Sequence, residues 1–456
     1  MIAGFKQYPA MKDSGVEWLG DVPAHWDVRR LGQIGTLLKG RGGSKEDEVD
    51  DGIPCVRYGD LYTTHTWAIT ETRSRLAPTR AGEYTSIRFG DVLFAASGET
   101  TDEIGKSAVN LIRSRACCGG DIILFRARLQ LDPRFMGYAA DCRASAAQKA
   151  SMGRGFTVVH IYPHQIKRVA LAIPPLPEQS TIARFLDNAT ELIGRYIRTK
   201  EKLIELLGEY KQVLVHDAVT GRIDVRTGKP YPAYKPSGVQ WLGDVPAHWD
   251  VRRLCTLVNI STGGRDTVDA REYGKYPFFV RSQTVERIQT WTFDGEAVLT
   301  AGDGVGVGRV FHHVDGRFDF HQRVYKFSDF RGILGRVFYH SIRALLRFQV
   351  MQGTAKSTVD SLRLPRLRSF PIPVPPNSEQ PSLGDYIDKR GSEIDQTVFG
   401  IRNQVARLRE YRMRLISDVV TGKLDVQNVT AQLSAIPRSE GRCPLLGSLP
   451  TQQEDD

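Results

Sequence analysis

Four arrangements in this sequence have the residue types and spacing for chemistry, and each can be judged by the context that chemistry needs. Gly302-Asp-Gly-Val-Gly-Val-Gly308 has the look of a glycine-rich nucleotide loop. Such a loop must follow a strand and open a helix, whose first N–H groups then hold the phosphates. Here Arg309-Val-Phe-His-His-Val314 resumes a β-prone run, so a glycine-rich hairpin is the expected reading. Gly105-Lys106-Ser107 matches the end of a phosphate-binding P-loop, but Thr100 stands where the pattern requires glycine. His160 and His164 have metal-ligand spacing, yet Pro163 lies between them and no carboxylate or cysteine completes a set nearby. Packing or surface histidines are expected there. No nucleophile elbow and no H-E-x-x-H motif occurs, and the Pro-Pro pairs lack the preceding Asn or Asp of an amino-methyltransferase motif. The chain is expected to be non-enzymatic.

The elements around these residues are organised by a duplication. Tyr8–Leu31 and Tyr231–Leu254 differ only at Met11/Tyr234, Asp13/Pro236 and Glu17/Gln240, so 21 of 24 positions are identical at an offset of 223. A longer pair, Ile173–Val225 and Val374–Val426, aligns without gaps at an offset of 201 with 16 of 53 positions identical. Among these are Glu178/Glu379, Gln179/Gln380, Tyr210/Tyr411 and Thr220-Gly221/Thr421-Gly422. The order is short block, insert, long block, then the same three again. The inserts themselves align poorly.

The long blocks read as helices. Ile182, Ala189, Tyr196, Leu203 and Tyr210 recur at heptad spacing, accompanied by Phe185, Leu192, Leu206 and Val213. The second copy repeats this with Ile387, Ile394, Ile401, Leu408 and Leu415, beside Val398, Val405 and Val419. Sustained seven-residue spacing predicts a coiled-coil seam. Proline-rich stretches lead into each helix and Thr-Gly ends it. Two such helices in one chain bury their seams most economically against each other, antiparallel if the halves pack about a pseudo-two-fold axis. The competing arrangement packs each seam on a partner's helix.

The inserts read as mixed and strand-rich, with β-prone runs at 91–96, 121–127, 297–300 and 323–327 and helical stretches at 135–149 and 333–349. The tail from Gln427 lacks periodicity and is expected to be disordered. Hydrophobic residues are 41% and charged residues 25% of the chain, which excludes a wholly disordered protein. No apolar run approaches a membrane span and the N-terminus lacks a secretory pattern, so a cytoplasmic protein is expected. Six cysteines without C-x-x-C spacing fit reduced thiols.

The net charge of +10 is unevenly placed. Residues 32–172 carry 19 basic against 15 acidic side chains and residues 255–373 carry 17 against 11, leaving the remainder neutral. Basic excess confined to two segments suits surfaces that neutralise phosphates, though charge alone leaves open a merely soluble basic domain.

Trp18-Leu-Gly-Asp-Val-Pro-Ala-His-Trp26 with its copy Trp241–Trp249, the exits Pro174–Gln179 and Pro375–Gln380, the two long helices and the T-G-[RK]-[IL]-D-V endings resemble the specificity subunit of Type I restriction–modification systems. The resemblance spans about residues 8–426; Asn377-Ser378 departs from the Leu-Pro of the first exit. It implies an α+β fold with two strand-rich mixed target recognition domains separated by two long antiparallel coiled-coil helices. The expected division is a first block at 1–31, recognition domain 1 at 32–172, a central conserved region with its helix at 173–230, and the second short block at 231–254. Recognition domain 2 then covers 255–373, a C-terminal conserved region covers 374–426, and the tail covers 427–456.

Each recognition domain would read one half of a bipartite, asymmetric site in double-stranded DNA. The helices would set the spacing and dock two methyltransferase subunits, which restriction/translocase subunits would join. The chain itself would hold no cofactor; S-adenosylmethionine, ATP and Mg2+ would belong to the partners. Base and phosphate contacts are expected from turn residues: Arg41, Lys45, Arg57, Tyr58, Ser97, Thr100, Lys106 and Arg154 in the first domain. In the second they are Arg265, Arg281, Ser282, Arg309, Gln322, Arg323 and Lys356. A fused restriction or methylation enzyme, and a coiled-coil scaffold without DNA reading, are the alternatives.

Overall fold

Apolar runs of four to six residues are too short for helices, and when neither face is polar they form strands buried on both sides. Val92–Ala95 and Ile122–Ala127 do this in the first insert. The computed structural model describes residues 6–43, 45–155, 157–353 and 362–427. The expected tail beyond Gln427, Cys443 within it, and Lys356 lie outside the described residues. Two units are distinguished: unit 1 is Met1–Lys200 with Gln404–Asp456, and unit 2 is Glu201–Asn403.

In unit 1 the two buried strands are the centre of a five-stranded sheet. Its order is Gly35–Lys39, Ile122–Ala127, Val92–Ala95, Ser107–Asn110 and Ala68–Ile69. A second sheet orders Ser74–Leu76, Glu48–Val56, Ala116–Cys118 and Thr85–Ile87, with Glu48–Val56 parallel to Ala116–Cys118. Unit 2 repeats the pattern in the poorly aligning second insert. One sheet orders Asn259–Thr262, Val324–Ser328, Ala297–Ala301 and Phe311–Val314. The other orders Glu286–Ile288, Tyr276–Phe279, Arg317–Phe320 and Phe293–Asp294, again with a parallel central pair. The unlike inserts are one fold.

The glycine-rich stretch at 302–308 is a turn between Ala297–Ala301 and its antiparallel neighbour Phe311–Val314. Gly105-Lys106-Ser107 leads into a strand, not a helix. The helical stretch expected at 135–149 is two helices, Pro133–Asp141 and Arg143–Met152, because Cys142 is extended between them. Asp132 caps the first, accepting from the N–H groups of Arg134 and Phe135. Cys55, Cys117, Cys118 and Cys142 are buried and unpaired; Cys255 is partly exposed and also free.

The repeated residues meet one another. Asp27–Arg30 of the short block pairs antiparallel with Ala170–Ile173 at the insert's exit, and Asp250–Arg253 pairs with Pro371–Val374 in the same register. Each insert is therefore closed at its base by a two-stranded clasp. The first residues of the following helix lock it. Glu178 Oε1 accepts from the Tyr8 hydroxyl at 2.6 Å and from Trp26 Nε1 at 3.1 Å, while His25 Nε2 lies 2.9 Å from Oε2. In unit 2, Glu379 Oε2 accepts from Tyr231 at 2.9 Å and Trp249 at 3.1 Å, with His248 Nε2 2.9 Å from Oε1. A buried carboxylate needs several donors, which is why tyrosine, histidine and tryptophan recur with it. The neighbouring glutamine ties down the insert. Gln179 Oε1 accepts from the Asp132 N–H and Gln380 Oε1 from that of Leu334.

The long helices are α1, Leu176–Val219, and α2, Gln380–Val420. At 44 residues α1 rises about 66 Å along its axis. In unit 1, Lys200 Nζ donates to Gln404 Oε1 at 2.6 Å, while Gly194 and Arg198 share a cavity wall with Arg412 and Met413. In unit 2, Lys211 Nζ meets Asp395 Oδ2 at 2.6 Å, while Val215 shares a wall with Ile387. Within each unit the helix segments therefore run antiparallel. Thr-Gly ends both helices, and Gly221 and Gly422 take positive φ of 71° and 73°. A Cβ on Gly221 would collide with Pro246, and one on Gly422 with Pro23, so each helix end seats on a short block.

The α2 seam at Ile387, Ile394, Ile401, Leu408 and Leu415 is buried throughout. The α1 seam departs from expectation. Ile182, Phe185 and Ala189 are buried, but Leu203, Leu206, Tyr210 and Val213 are 43–55% exposed. The buried face there passes through Leu214 and Ala218, with Leu207 and Lys211 half-buried. Residues one position along lie about 100° around a helix, so the heptad of α1 changes face midway.

Candidate nucleic-acid interface

In both units the strand ends of the two sheets bring four distant loops together, and backbone hydrogen bonds fix them in equivalent ways. In unit 2, the N–H of Gln322 donates to the Arg265 carbonyl, that of His321 to Phe279 and that of Gly302 to Arg323. In unit 1, the N–H of Gly120 donates to Gly42, that of Gly119 to Val56 and that of Ala96 to Asp121. Matching these bonds sets Gly42 against Arg265, Gly120 against Gln322 and Asp121 against Arg323. Counting on from the matched strand ends sets Tyr58 against Arg281 and Ser97 against Asp303. Gly40 and Gly263 also correspond: a Cβ on either would run into a carbonyl oxygen of the facing loop, Gly119 or Phe320.

Unit 2 gathers five of its expected contact residues here. Arg281 Nη1 meets Asp303 Oδ1 at 2.9 Å and Arg323 Nη1 meets Oδ2 of the same carboxylate at 3.0 Å. Arg265 Nε lies 3.2 Å from Asp319 Oδ2, and Gln322 Nε2 donates to Asp266 Oδ2 at 2.7 Å. The Ser282 hydroxyl donates to the Thr284 carbonyl within its own turn. His321 beneath them is 2% exposed; burial pushes its pKa down, and its Nδ1 accepts from the Arg323 N–H. Arg309 lies elsewhere, lining a cavity of about 900 Å³ with Tyr339, His340 and Lys211.

Unit 1 presents a barer surface. Arg41 and Tyr58 are exposed, and the Arg41 N–H donates to Thr85 Oγ1. Arg57 is drawn inward, its Nε 2.5 Å from Glu48 Oε1 and its Nη1 donating to the Gly43 carbonyl. Ser97 is buried with its hydroxyl 2.9 Å from His160 Nδ1. Lys106 is ion-paired to Asp141. Arg154 is exposed on a bridge to His160, and Thr100 is exposed beyond the Ser97 turn. The side chain of Lys45 lies outside the described residues. Sequence reasoning did not mark Asp303 or Asp266, because a carboxylate looks unfavourable near DNA until the arginines and the glutamine it holds are seen.

Among the described residues no group of three or more His, Cys, Asp and Glu could hold a metal ion, and no helix is long and apolar enough to cross a membrane.

The site and fold define a class: a duplicated protein with two copies of one mixed fold, each closed by the same clasp and served by long antiparallel helix segments. The model of the Type I restriction modification DNA specificity domain matches residues 23–206 and 246–407, and the chain belongs to that family. It is 20% identical to the Type I restriction enzyme MjaVIII specificity subunit of Methanocaldococcus jannaschii over 90% of this chain and 95% of that one. Identity to the EcoDI specificity subunit of Escherichia coli is 26%, over 40% of each chain, so that match spans two fifths of the relative. Among solved structures, a chain from work on complex assembly and conformational transition of the type I R-M system superposes with a TM-score of 0.66 at 19% identity, covering 88% of this chain and 99% of that one. The HsdS subunit from Thermoanaerobacter tengcongensis gives 0.50 at 17% identity, over 88% and 98%.

Proposed function

We propose that this chain is the DNA-reading subunit of a Type I restriction–modification complex, with the four-loop face of each unit reading one half of a bipartite, asymmetric target. The observation that carries this reading is one backbone frame, built twice, whose loop-end side chains differ position by position. A repeated frame offers two reading surfaces, and unlike side chains make the half-sites unlike. The chain works without catalysis of its own. S-adenosylmethionine, ATP and Mg2+ act on partner subunits, and the setting is the cytoplasm.

The helices space the half-sites and dock two methyltransferase subunits, which restriction/translocase subunits join. The exposed stripe Leu203, Leu206, Tyr210 and Val213 on α1 supports docking, since apolar residues at three- and four-residue spacing form one face.

The test is replacement of residues 32–172 by the corresponding segment of another family member, followed by methylation mapping of the assembled complex. One half-site should change while the other stays. Change in both, or in neither, would overturn the reading.

A further inference from the structure

Resting on that reading, we propose that Arg281 and Arg323, braced by Asp303, read guanine, so that the half-site facing unit 2 contains G·C pairs opposite them. Each guanidinium gives only Nη1 to Asp303, at 2.9 and 3.0 Å. Among the described residues, the Nε–Nη2 edge of each is left without a partner, and the side chains are 42% and 58% exposed. That edge has the two parallel donors that match guanine O6 and N7 in the major groove.

The brace argues for a base over a phosphate. A carboxylate beside a phosphate repels it, whereas the guanine edge is neutral, and Asp303 costs little there. What the carboxylate supplies is orientation. It fixes two long side chains in one geometry before binding, which lowers the entropy lost on contact. A point charge on a phosphate has no need of such restraint. The backbone supports the same geometry: Arg323 sits between its N–H bond to His321 Nδ1 and its carbonyl bond to the Gly302 N–H.

Unit 1 offers a control within the molecule. The matched positions there are Tyr58, Ser97 and Asp121, and the nearby Arg57 is held by Glu48 and the Gly43 carbonyl. No braced pair of arginines stands there among the described residues, so the inference concerns one half-site alone.

The experiment uses the full chain assembled with its modification subunits. Methylation mapping gives the target, and exchange of residues 255–373 shows which half belongs to unit 2. Duplexes carrying 7-deazaguanine at each guanine of that half-site are then bound by wild type and by Arg281→Ala, Arg323→Ala, Arg281→Lys and Arg323→Lys. For wild type, removing N7 at one guanine should weaken binding about tenfold or more. For the matching alanine variant the same change should have no effect, and methylation should spread to sites altered at that position. Lysine keeps the charge but loses the fork, and should behave nearly as alanine does.

A unit 2 half-site without guanine on either strand would overturn the proposal. So would variants that weaken all sequences evenly, as phosphate contacts or purely structural ion pairs would. Full recovery of specificity by lysine would overturn it too. If wild type shows no bipartite target, the reading of the chain as a DNA-reading subunit falls first, and the two failures are thereby distinguished.

Discussion

The two four-loop faces have the same backbone and opposite chemistry. Where unit 2 places Arg265, Arg281, Gln322 and Arg323, unit 1 places Gly42, Tyr58, Gly120 and Asp121. One face is a lattice of arginines tethered to aspartates; the other is glycine-rich with an exposed tyrosine and a carboxylate. The comparison teaches where selection for fold ends and room for specificity begins. Backbone bonds such as Gly120 to Gly42 and Gln322 to Arg265 need no particular side chain, so these positions can vary without loss of frame. The clasp cannot, because Glu178 and Glu379 are buried and depend on their donors.

The clasp should therefore fail alike in both halves. Trp26→Ala and Trp249→Ala each remove a fully buried indole and one donor to a buried carboxylate. Each should destabilise its unit by about 3–5 kcal/mol in denaturant titration. A large loss in one half and a small one in the other would break the equivalence.

Each half also holds buried groups that answer to pH. Lys149 of unit 1 is fully buried, donating to the carbonyls of Gly105 and Ala140, and burial pushes its pKa down to about 8 against the raising effect of Asp141. Below pH 8 the lysine is charged folded and unfolded, and the cost of burying the charge is complete. Between pH 8 and the ordinary lysine value the folded state sheds its proton first, so stability rises with pH. The gain is at most about 3 kcal/mol. Lys149→Met should flatten that slope in melting curves measured from pH 7 to 10.5.

In unit 2 the clasp carboxylate should respond in acid. Burial works to raise the pKa of Glu379, but hydrogen bonds from His248, Tyr231 and Trp249, with Arg226 nearby, more than offset it, and the net shift is downward. That stabilisation is present above the ordinary carboxylate value and lost as pH falls through the lowered one. In Glu379→Gln the acid limb of the stability profile should be shallower than in wild type.

These pairs also show what was legible in the sequence. Tyr8, Trp26 and Glu178 could be picked out because they recur, and recurrence at a fixed offset survives without any knowledge of contacts. The buried seam of α2 was legible because its heptad is unbroken from Ile387 to Leu415. The change of face within α1 was not, since Leu203 and Leu207 are equally apolar and only packing decides which is covered. The common topology of the inserts was hidden for a different reason. Their strands are two to nine residues long and paired through backbone groups, so the ladder leaves little mark on residue type. The bracing role of Asp303 was invisible because its partners lie about twenty residues away on either side.

A test of the shared frame follows from Gly40 and Gly263. Both sit where a Cβ would meet a carbonyl oxygen of the opposite loop. Gly40→Ala and Gly263→Ala should each cost about 1–3 kcal/mol, because backbone must shift to make room. Comparable losses would place the requirement in the frame, whichever side chains the loops carry.

The smallest expected effect is the sharpest on chemistry. Asp121 and Arg323 occupy one position with opposite charge, so Asp121→Arg makes unit 1 resemble unit 2 at that point alone. Among the described residues Asp121 makes no side-chain hydrogen bond to the neighbouring loops, and its backbone bond to Ala96 is unaffected by the change. Folding should be little altered. Ser97 stands where Asp303 braces Arg323, so the unbraced arginine is free to meet a phosphate. Binding of the assembled complex to unrelated duplex should tighten, and the dependence of log affinity on log salt should steepen by about one unit. The unit 2 half-site should remain as it was. An unchanged salt slope would mean that this loop of unit 1 does not approach the backbone of DNA.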